Sequence, residues 1–291
     1  MSYKTIVVHV DDIPNAGACY TFAAELARVE QAHLIGLASS GVSRFLRETV
    51  AMNYAAPTIR PYLDTMRDRA APTIRPYLDT MRDRAARALD QFERVAASFT
   101  LAGSERRAVD DEPGRSLSAL ARYCDLCVLS QGSASQGAGL AAEVAKDSGT
   151  PVLIVPRAQA PALPIRRILL GWNGSREAAR AMRFALPLLQ RASAVDVAIF
   201  DTAALESEAG AELRPVTALG QTLSRQGVRA EVIQRERAGD AGEALLALAG
   251  ERGAQLLVMG CYGHSRLREL LLGGATRTVL KSMTLPVFMA A

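Results

Sequence analysis

Short apolar runs of strand length alternate along the chain with stretches of helical periodicity. Lys4 to Asp11 is one such run, closed by an acid and followed by helical spacing from Ala18 to Val29. Arg166 to Asn173 is another, after which Ser175-Arg176-Glu177 opens a helix that the pattern carries to about Leu189. The two stretches superimpose at an offset of 162 residues. Each continues with a second apolar strand (His33–Ala38; Val195–Phe200), a helix, a polar strand, a short Ala/Leu helix and a further buried strand (Asp125–Ser130; Gln255–Gly260). Both close alike, on Thr150-Pro151-Val152-Leu153-Ile154-Val155 and Leu285-Pro286-Val287-Phe288-Met289. Strands that read as continuous apolar runs and alternate with helices indicate a parallel sheet covered on both faces.

The pattern therefore predicts an α/β chain of two tandem doubly wound domains, each a five-stranded mainly parallel sheet with helices on both faces. The first domain is placed at 1–156, a Pro/Ala-rich linker at 157–164, and the second domain at 165–291. Pro151 and Pro286 cannot donate to a ladder and suit the first residue of an edge strand. The two closing strands are thus expected at the edges of their sheets. Inside the first domain the fifteen residues AAPTIRPYLDTMRDR occur twice without a change, at Ala55–Arg69 and Ala70–Arg84, a duplicated insertion over 55–84. Two units do not make a solenoid. The first copy reads as surplus, and Pro72 and Pro76 are expected to break the helix that enters from it.

Composition changes this picture little. At 291 residues the chain has room for two cores, and 49% hydrophobic with 22% charged residues is the balance of a globular protein. The formal charge of +4 is small, and most arginines have acidic neighbours, so a nucleic-acid surface is not expected. No apolar run reaches membrane-span length and no secretory core opens the chain, which predicts a cytoplasmic protein without a membrane partner. Cys124 and Cys127 have C-x-x-C spacing, but Leu126, Val128 and Leu129 make that segment a buried strand, and no metal site is assigned.

The chemistry concentrates after the fourth strand of the second domain. Gly260-Cys261-Tyr262-Gly263 is followed by nine residues and then by Gly273-Gly274-Ala275-Thr276 at the start of a helix to about Ser282. Glycines let backbone amides approach an anion, and a helix N-terminus offers free N–H groups and a positive dipole end. His264 and Arg266 belong to the same loop and are placed with the binding residues. The loop lies beyond the carboxyl end of a central parallel strand, where ligands sit in open α/β sheets. At these residues the chain resembles the universal stress protein family, specifically its tandem members. Gly260, Gly263 and Gly273 match the family's G-x2-G-x9-G-[S/T] spacing, whereas Gly274 stands at the Ser/Thr position and Thr276 follows two residues later. The family's strand-one acid is kept as Asp11 in the first domain and is replaced by Asn173 in the second. The first domain has Ser130-Gln131-Gly132-Ser133 in place of the glycine pair, and 18 residues from Ser133 to Pro151 against 23 from Gly263 to Pro286, so Asp11 reads as a remnant.

The resemblance implies a cytosolic stress-response protein that binds an adenine nucleotide, ATP with magnesium or manganese, in its second domain only, and acts by association with a second copy or a protein partner; it also implies that the two halves meet through their closing strands about a pseudo-twofold axis. Its nucleotide-binding residues would be Asn173, Gly260, Gly263, His264, Arg266, Gly273, Gly274, Ala275 and Thr276. No catalytic residue is assigned, because no nucleophile–base–acid set and no P-loop lysine motif is present. A slow ATP hydrolase and a scaffold without nucleotide are the alternatives.

Overall fold

The computed structural model describes residues 2–41, 60–132, 137–157, 162–202, 205, 214–236, 239–261 and 274–291. The first half contributes β1 (Thr5–Val10), α1 (Ala16–Glu30), β2 (His33–Ser39), α2 (Arg60–Ala97), β3 (Gly103–Val109), α3 (Pro113–Ala121), β4 (Leu126–Ser130), α4 (Gly137–Ser148) and β5 (Val152–Val155). The second half contributes β6 (Arg167–Gly171), α5 (Arg176–Phe184), α6 (Leu186–Arg191), β7 (Ala194–Ile199), α7 (Pro215–Arg225), β8 (Ala230–Gln234), α8 (Ala241–Arg252), β9 (Leu256–Gly260), α9 (Gly274–Ser282) and β10 (Val287–Ala290).

All ten strands form one sheet in the order β3-β2-β1-β4-β5-β10-β9-β6-β7-β8. Within each half every pairing is parallel. The seam is antiparallel, with Val287 opposite Ile154, Phe288 opposite Leu153 and Met289 opposite Val152. The halves therefore meet through the two strands that follow Pro151 and Pro286, each at the edge of its own five-stranded sheet and central in the joined one.

Alternate strand residues face opposite layers. Ile6, Val8 and Val10 enter a core with Tyr20 and Phe22 of α1 and Leu89 and Phe92 of α2, and Ile168 and Leu170 enter the same layer with Met182 and Leu223. Val7, Leu169 and Leu257 point the other way, toward Leu117, Val144, Leu248 and Val279. The apolar runs are thus strands buried on both faces.

Two helical expectations differ from the fold. The segment expected to break at Pro72 and Pro76 is one 38-residue helix, α2, which runs through prolines at 61, 72 and 76. A proline removes one backbone donor and crowds the preceding turn, yet the surrounding good helix formers carry α2 past it, and Leu78, Leu89 and Phe92 bury its later part. Conversely, the helix read as continuous to Leu189 divides at Ala185, because Pro187 cannot donate to the turn before it. Residues 55–59 of the duplicated insertion and 158–161 of the linker lie outside the described residues.

Candidate functional site

In the second half β6 has β9 on one side and β7 on the other. From β6 the chain turns to α5 on one layer, and α9 follows β9 on the other. This change of direction opens a crevice beyond the carboxyl ends of β6 and β9, the position where open α/β sheets take ligands.

The β6 side is built around the start of α5. Asn173 is exposed just beyond the strand, and its Oδ1 accepts the Ser175 N–H (3.2 Å) and hydroxyl (2.8 Å). Ser175 is the helix N-cap, its Oγ accepting the Ala178 N–H at 3.1 Å, as the sequence predicts. Glu177 in the first turn is only 4% exposed, unusual for a carboxylate. Burial raises its pKa, but hydrogen bonds from Arg176, from its own N–H and from Ser175 outweigh that and hold it below the usual range, so it stands ionised in the crevice. Trp172 leaves its indole Nε1 buried without a hydrogen-bond partner among the described residues. A buried donor without a partner is costly unless something else meets it.

On the β9 side, a Cβ added to Gly260 would lie 2.5 Å from the Ala178 nitrogen and 2.9 Å from Glu177 Cβ. Glycine is required there because α5 begins against the strand end. The Cys261 thiol beside it is pushed up to about 12, first by burial and then by the Glu177 charge. Gly274, the first residue of α9, faces Asp240, whose Oδ2 would lie 3.4 Å from an added Cβ. Asp240 caps α8, its Oδ1 accepting the Gly242 N–H (2.8 Å) and the Glu243 N–H (3.1 Å). Gly242 in turn admits α9: an added Cβ would meet the Ala275 carbonyl oxygen at 2.6 Å and Thr278 Cβ at 2.9 Å. Thr276 is 3% exposed and shares the buried stripe of α9 with Val279 and Leu280.

The crevice thus gathers Asn173, Gly260 and the α9 start at Gly274 and Ala275, with Thr276 on that helix's buried face. Gly263, His264, Arg266 and Gly273 lie outside the described residues. Sequence reasoning missed Asp240 and the burial of Glu177. The first was legible as an acid preceding an Ala/Leu helix, an N-cap signal. The second was not, since only the close approach of Gly260 buries it.

The matching end of the first half is organised differently. Asp11 N–H donates to the Tyr20 hydroxyl (3.0 Å), which donates to the Asp11 carbonyl (2.8 Å). Gln131, at the position of Cys261 in the second half, donates through Nε2 to the Leu280 carbonyl of the other half (3.0 Å), and its Oε1 accepts the Arg157 N–H (3.1 Å). Its side chain holds the seam. Cys127 is buried within β4, and the half-buried Cys124 thiol is pushed up to about 11 by burial and the neighbouring Asp125.

An open, doubly wound α/β sheet with a switch in strand order is an architecture shared by proteins of many functions. Residues 164–290 match the model of the universal stress protein family. A stretch of 67 residues is 36% identical to a universal stress protein of Synechocystis sp., and the chain spans about a quarter of that relative, 23% of each sequence. Among solved structures, a universal stress protein from Archaeoglobus fulgidus superimposes with a TM-score of 0.67 at 16% identity, over 98% of this chain and 95% of that one. A protein of Pseudomonas aeruginosa PAO1 does so at 0.55 and 15% identity, over 99% and 92%. Residues 164–290 thus carry a universal stress protein domain, and the N-terminal half repeats the same strand order. Among the described residues no helix is long and apolar enough to cross a membrane.

Proposed function

We propose that the C-terminal half binds one adenine nucleotide in the β6–β9 crevice, and that the protein acts in the cytoplasm through ligand-dependent association with a second copy or a protein partner, without catalysis of its own. The observation that carries this reading is the meeting of Asn173, at the end of β6, with Gly260, at the end of β9, across the switch in strand order. The start of α9 at Gly274 would offer backbone N–H groups to phosphate. Glu177 and Asp240 add a condition: two carboxylates flank the described ends of the glycine motif, and a bare polyphosphate there meets like charge. Magnesium or manganese bound with the phosphates would offset it, as carboxylate-lined nucleotide sites commonly require.

Calorimetric titration tests the proposal. ATP with magnesium is expected to bind once per chain, more weakly with chelator present. Asn173→Ala is expected to weaken binding and Asp11→Ala to leave it unchanged. Gly273→Asp, which puts bulk and negative charge into the cradle, should cost at least about tenfold, roughly 1.4 kcal/mol. Two sites per chain, or loss on Asp11→Ala with Gly273→Asp unaffected, would put the site in the wrong half. Absence of binding would favour a scaffold, the reading that Gly260 also permits by packing against α5 without any ligand.

A further inference from the structure

The ten-stranded sheet uses its two closing strands in the seam, which leaves β3 and β8 as its outer edges. Among the described residues no strand pairs with the outer side of either. An edge strand presents a row of unpaired N–H and C=O groups to another chain unless its side chains forbid the approach. The side chains of the two edges differ in this respect.

The β7–β8 ladder is parallel, and Arg235, just past β8, donates its N–H to the Ile199 carbonyl (3.1 Å). Glu231 and Ile233 share that phase and turn their backbone groups toward β7, whereas Ala230, Val232 and Gln234 turn theirs outward. When two copies pair antiparallel about a twofold axis, one residue lies opposite itself. With Ile233 at that place, Val232 exchanges backbone hydrogen bonds with Gln234 of the other copy, and Glu231 lies opposite Arg235 on both sides of the axis. These last are the positions between the hydrogen-bonded pairs, where opposed side chains come closest. Ile233 is half-buried on this face of the strand, so its exposed remainder meets its own copy.

Neighbouring registers are worse. Val232 at the axis sets Arg229 against Arg235, Glu231 sets its own charge against itself, and Gln234 sets Ile233 against Arg235. The middle of β3 is Glu105-Arg106-Arg107, and any of these at the axis opposes its own charge. Within the chain Glu231 pairs with Arg252 (2.6 Å) and Arg235 with Glu251 (2.7 Å), both on α8. These pairs are exposed and individually weak, and α8 lies over the same face, so its charges extend the cross-strand pairs into a network.

From this we propose that two copies of the chain pair antiparallel through β8, with Ile233 on the twofold axis and Glu231 opposite Arg235 at both flanks, joining their sheets into one. The inference rests on the self-association in the function proposed above and on no feature of the crevice.

Sedimentation velocity of the full chain over a concentration series, in ATP with magnesium and again without them, is expected to show a reversible monomer–dimer equilibrium, weak because an edge contact is small. Glu231→Arg and Arg235→Glu each set like charges opposite at both flanks and should weaken dimerisation by at least about tenfold. The two changes together restore opposite pairs and should recover it. Ile233→Cys should form an intermolecular disulfide on mild oxidation, since Cα atoms paired at such a position are about 4.5 Å apart, within disulfide reach, whereas Gln234→Cys and the unaltered chain should not. Circular dichroism and melting identify the variants that remain folded. A chain monomeric under both conditions, assembly beyond the dimer, single variants that pair as tightly as the parent, or a folded double variant that does not recover pairing would each overturn the proposal. Calorimetry of ATP on the same preparations reports the crevice separately: a monomer that binds ATP refutes the edge contact alone, and a dimer that binds none refutes the nucleotide reading alone.

Discussion

Removing Arg191 probes what holds the halves together beyond the β5–β10 seam. Glu30 closes α1, and its side chain has no solvent exposure. It receives both Nη1 and Nη2 of Arg191 from α6 in the other half, the second at 2.7 Å, and the Tyr3 N–H at 3.3 Å. The Tyr3 hydroxyl donates across the same boundary to the Phe184 carbonyl at 2.7 Å. Arg191→Ala leaves the buried carboxylate with the Tyr3 N–H but without its cation. Breaking a buried pair in this way costs about 3–5 kcal/mol, and the lower figure applies here because Arg191 keeps 38% of its side chain exposed. For 291 residues unfolding as one unit the entropy of melting is about 0.6 kcal/mol/K, so the midpoint should fall by about 5 °C. Differential scanning calorimetry measures this directly. The added change Glu30→Gln removes the stranded charge and should recover at least about 1 kcal/mol, close to 2 °C. A single-variant shift under about 1 °C, or a double variant no better than the single, would refute the assignment of a stabilising lock.

Three further outcomes are expected. Gly242→Ala forces a Cβ to within 2.6 Å of the Ala275 carbonyl, so it should destabilise by about 1–3 kcal/mol in urea titrations and displace the start of α9. His9, whose pKa is lowered by burial against a smaller opposing effect of Asp11, should destabilise the fold as pH falls below the ordinary histidine range, with a slope of at most about 1.4 kcal/mol per pH unit. The direction follows because a depressed pKa means the folded state resists the proton that the unfolded chain accepts. His9→Leu should flatten that part of the acid limb. Deletion of residues 55–69 should leave a folded protein, since Leu78, Leu89 and Phe92, which anchor α2, all lie in the part that remains, and a midpoint lowered by more than about 8 °C would show the first copy to be packed.

The order of strands and helices was legible because the inner strands are buried on both faces and so read as apolar runs, as in Ile6–Val8 and Leu256–Met259, while the edge strands β3 and β8 read as polar ones. The edge position of β5 and β10 was legible from two prolines, because a residue without a donor suits an edge, whereas the meeting of the halves there followed from the family resemblance and not from the residues themselves. What the sequence hid was contact between distant positions. Glu30 looks like an ordinary helix-end acid until α6 brings Arg191 to it, 161 residues away. Tyr20 looks like a core aromatic, yet its hydroxyl closes the end of β1 on both backbone groups of Asp11. Pro72 and Pro76 misled because a proline weighs against a helix locally, whereas the apolar face from Leu78 onward is what anchors α2.

The described residues of the crevice carry two duties that must be separated before a mutation there is interpreted. Gly260 is demanded by the approach of α5, and Asn173 holds the Ser175 cap of that helix, so both positions shape α5 whether or not a ligand is present. Weaker nucleotide binding in Asn173→Ala therefore combines a lost base contact with a loosened helix start. Ser175→Ala isolates the second effect, because it removes the cap, worth about 1 kcal/mol, and leaves the Asn173 side chain in place. If Asn173 touches the ligand, Asn173→Ala must weaken binding by more than Ser175→Ala does while costing no more stability. Equal losses in both quantities would mean that Asn173 serves the helix alone, and the nucleotide would then have to be held by the loop between Cys261 and Gly274.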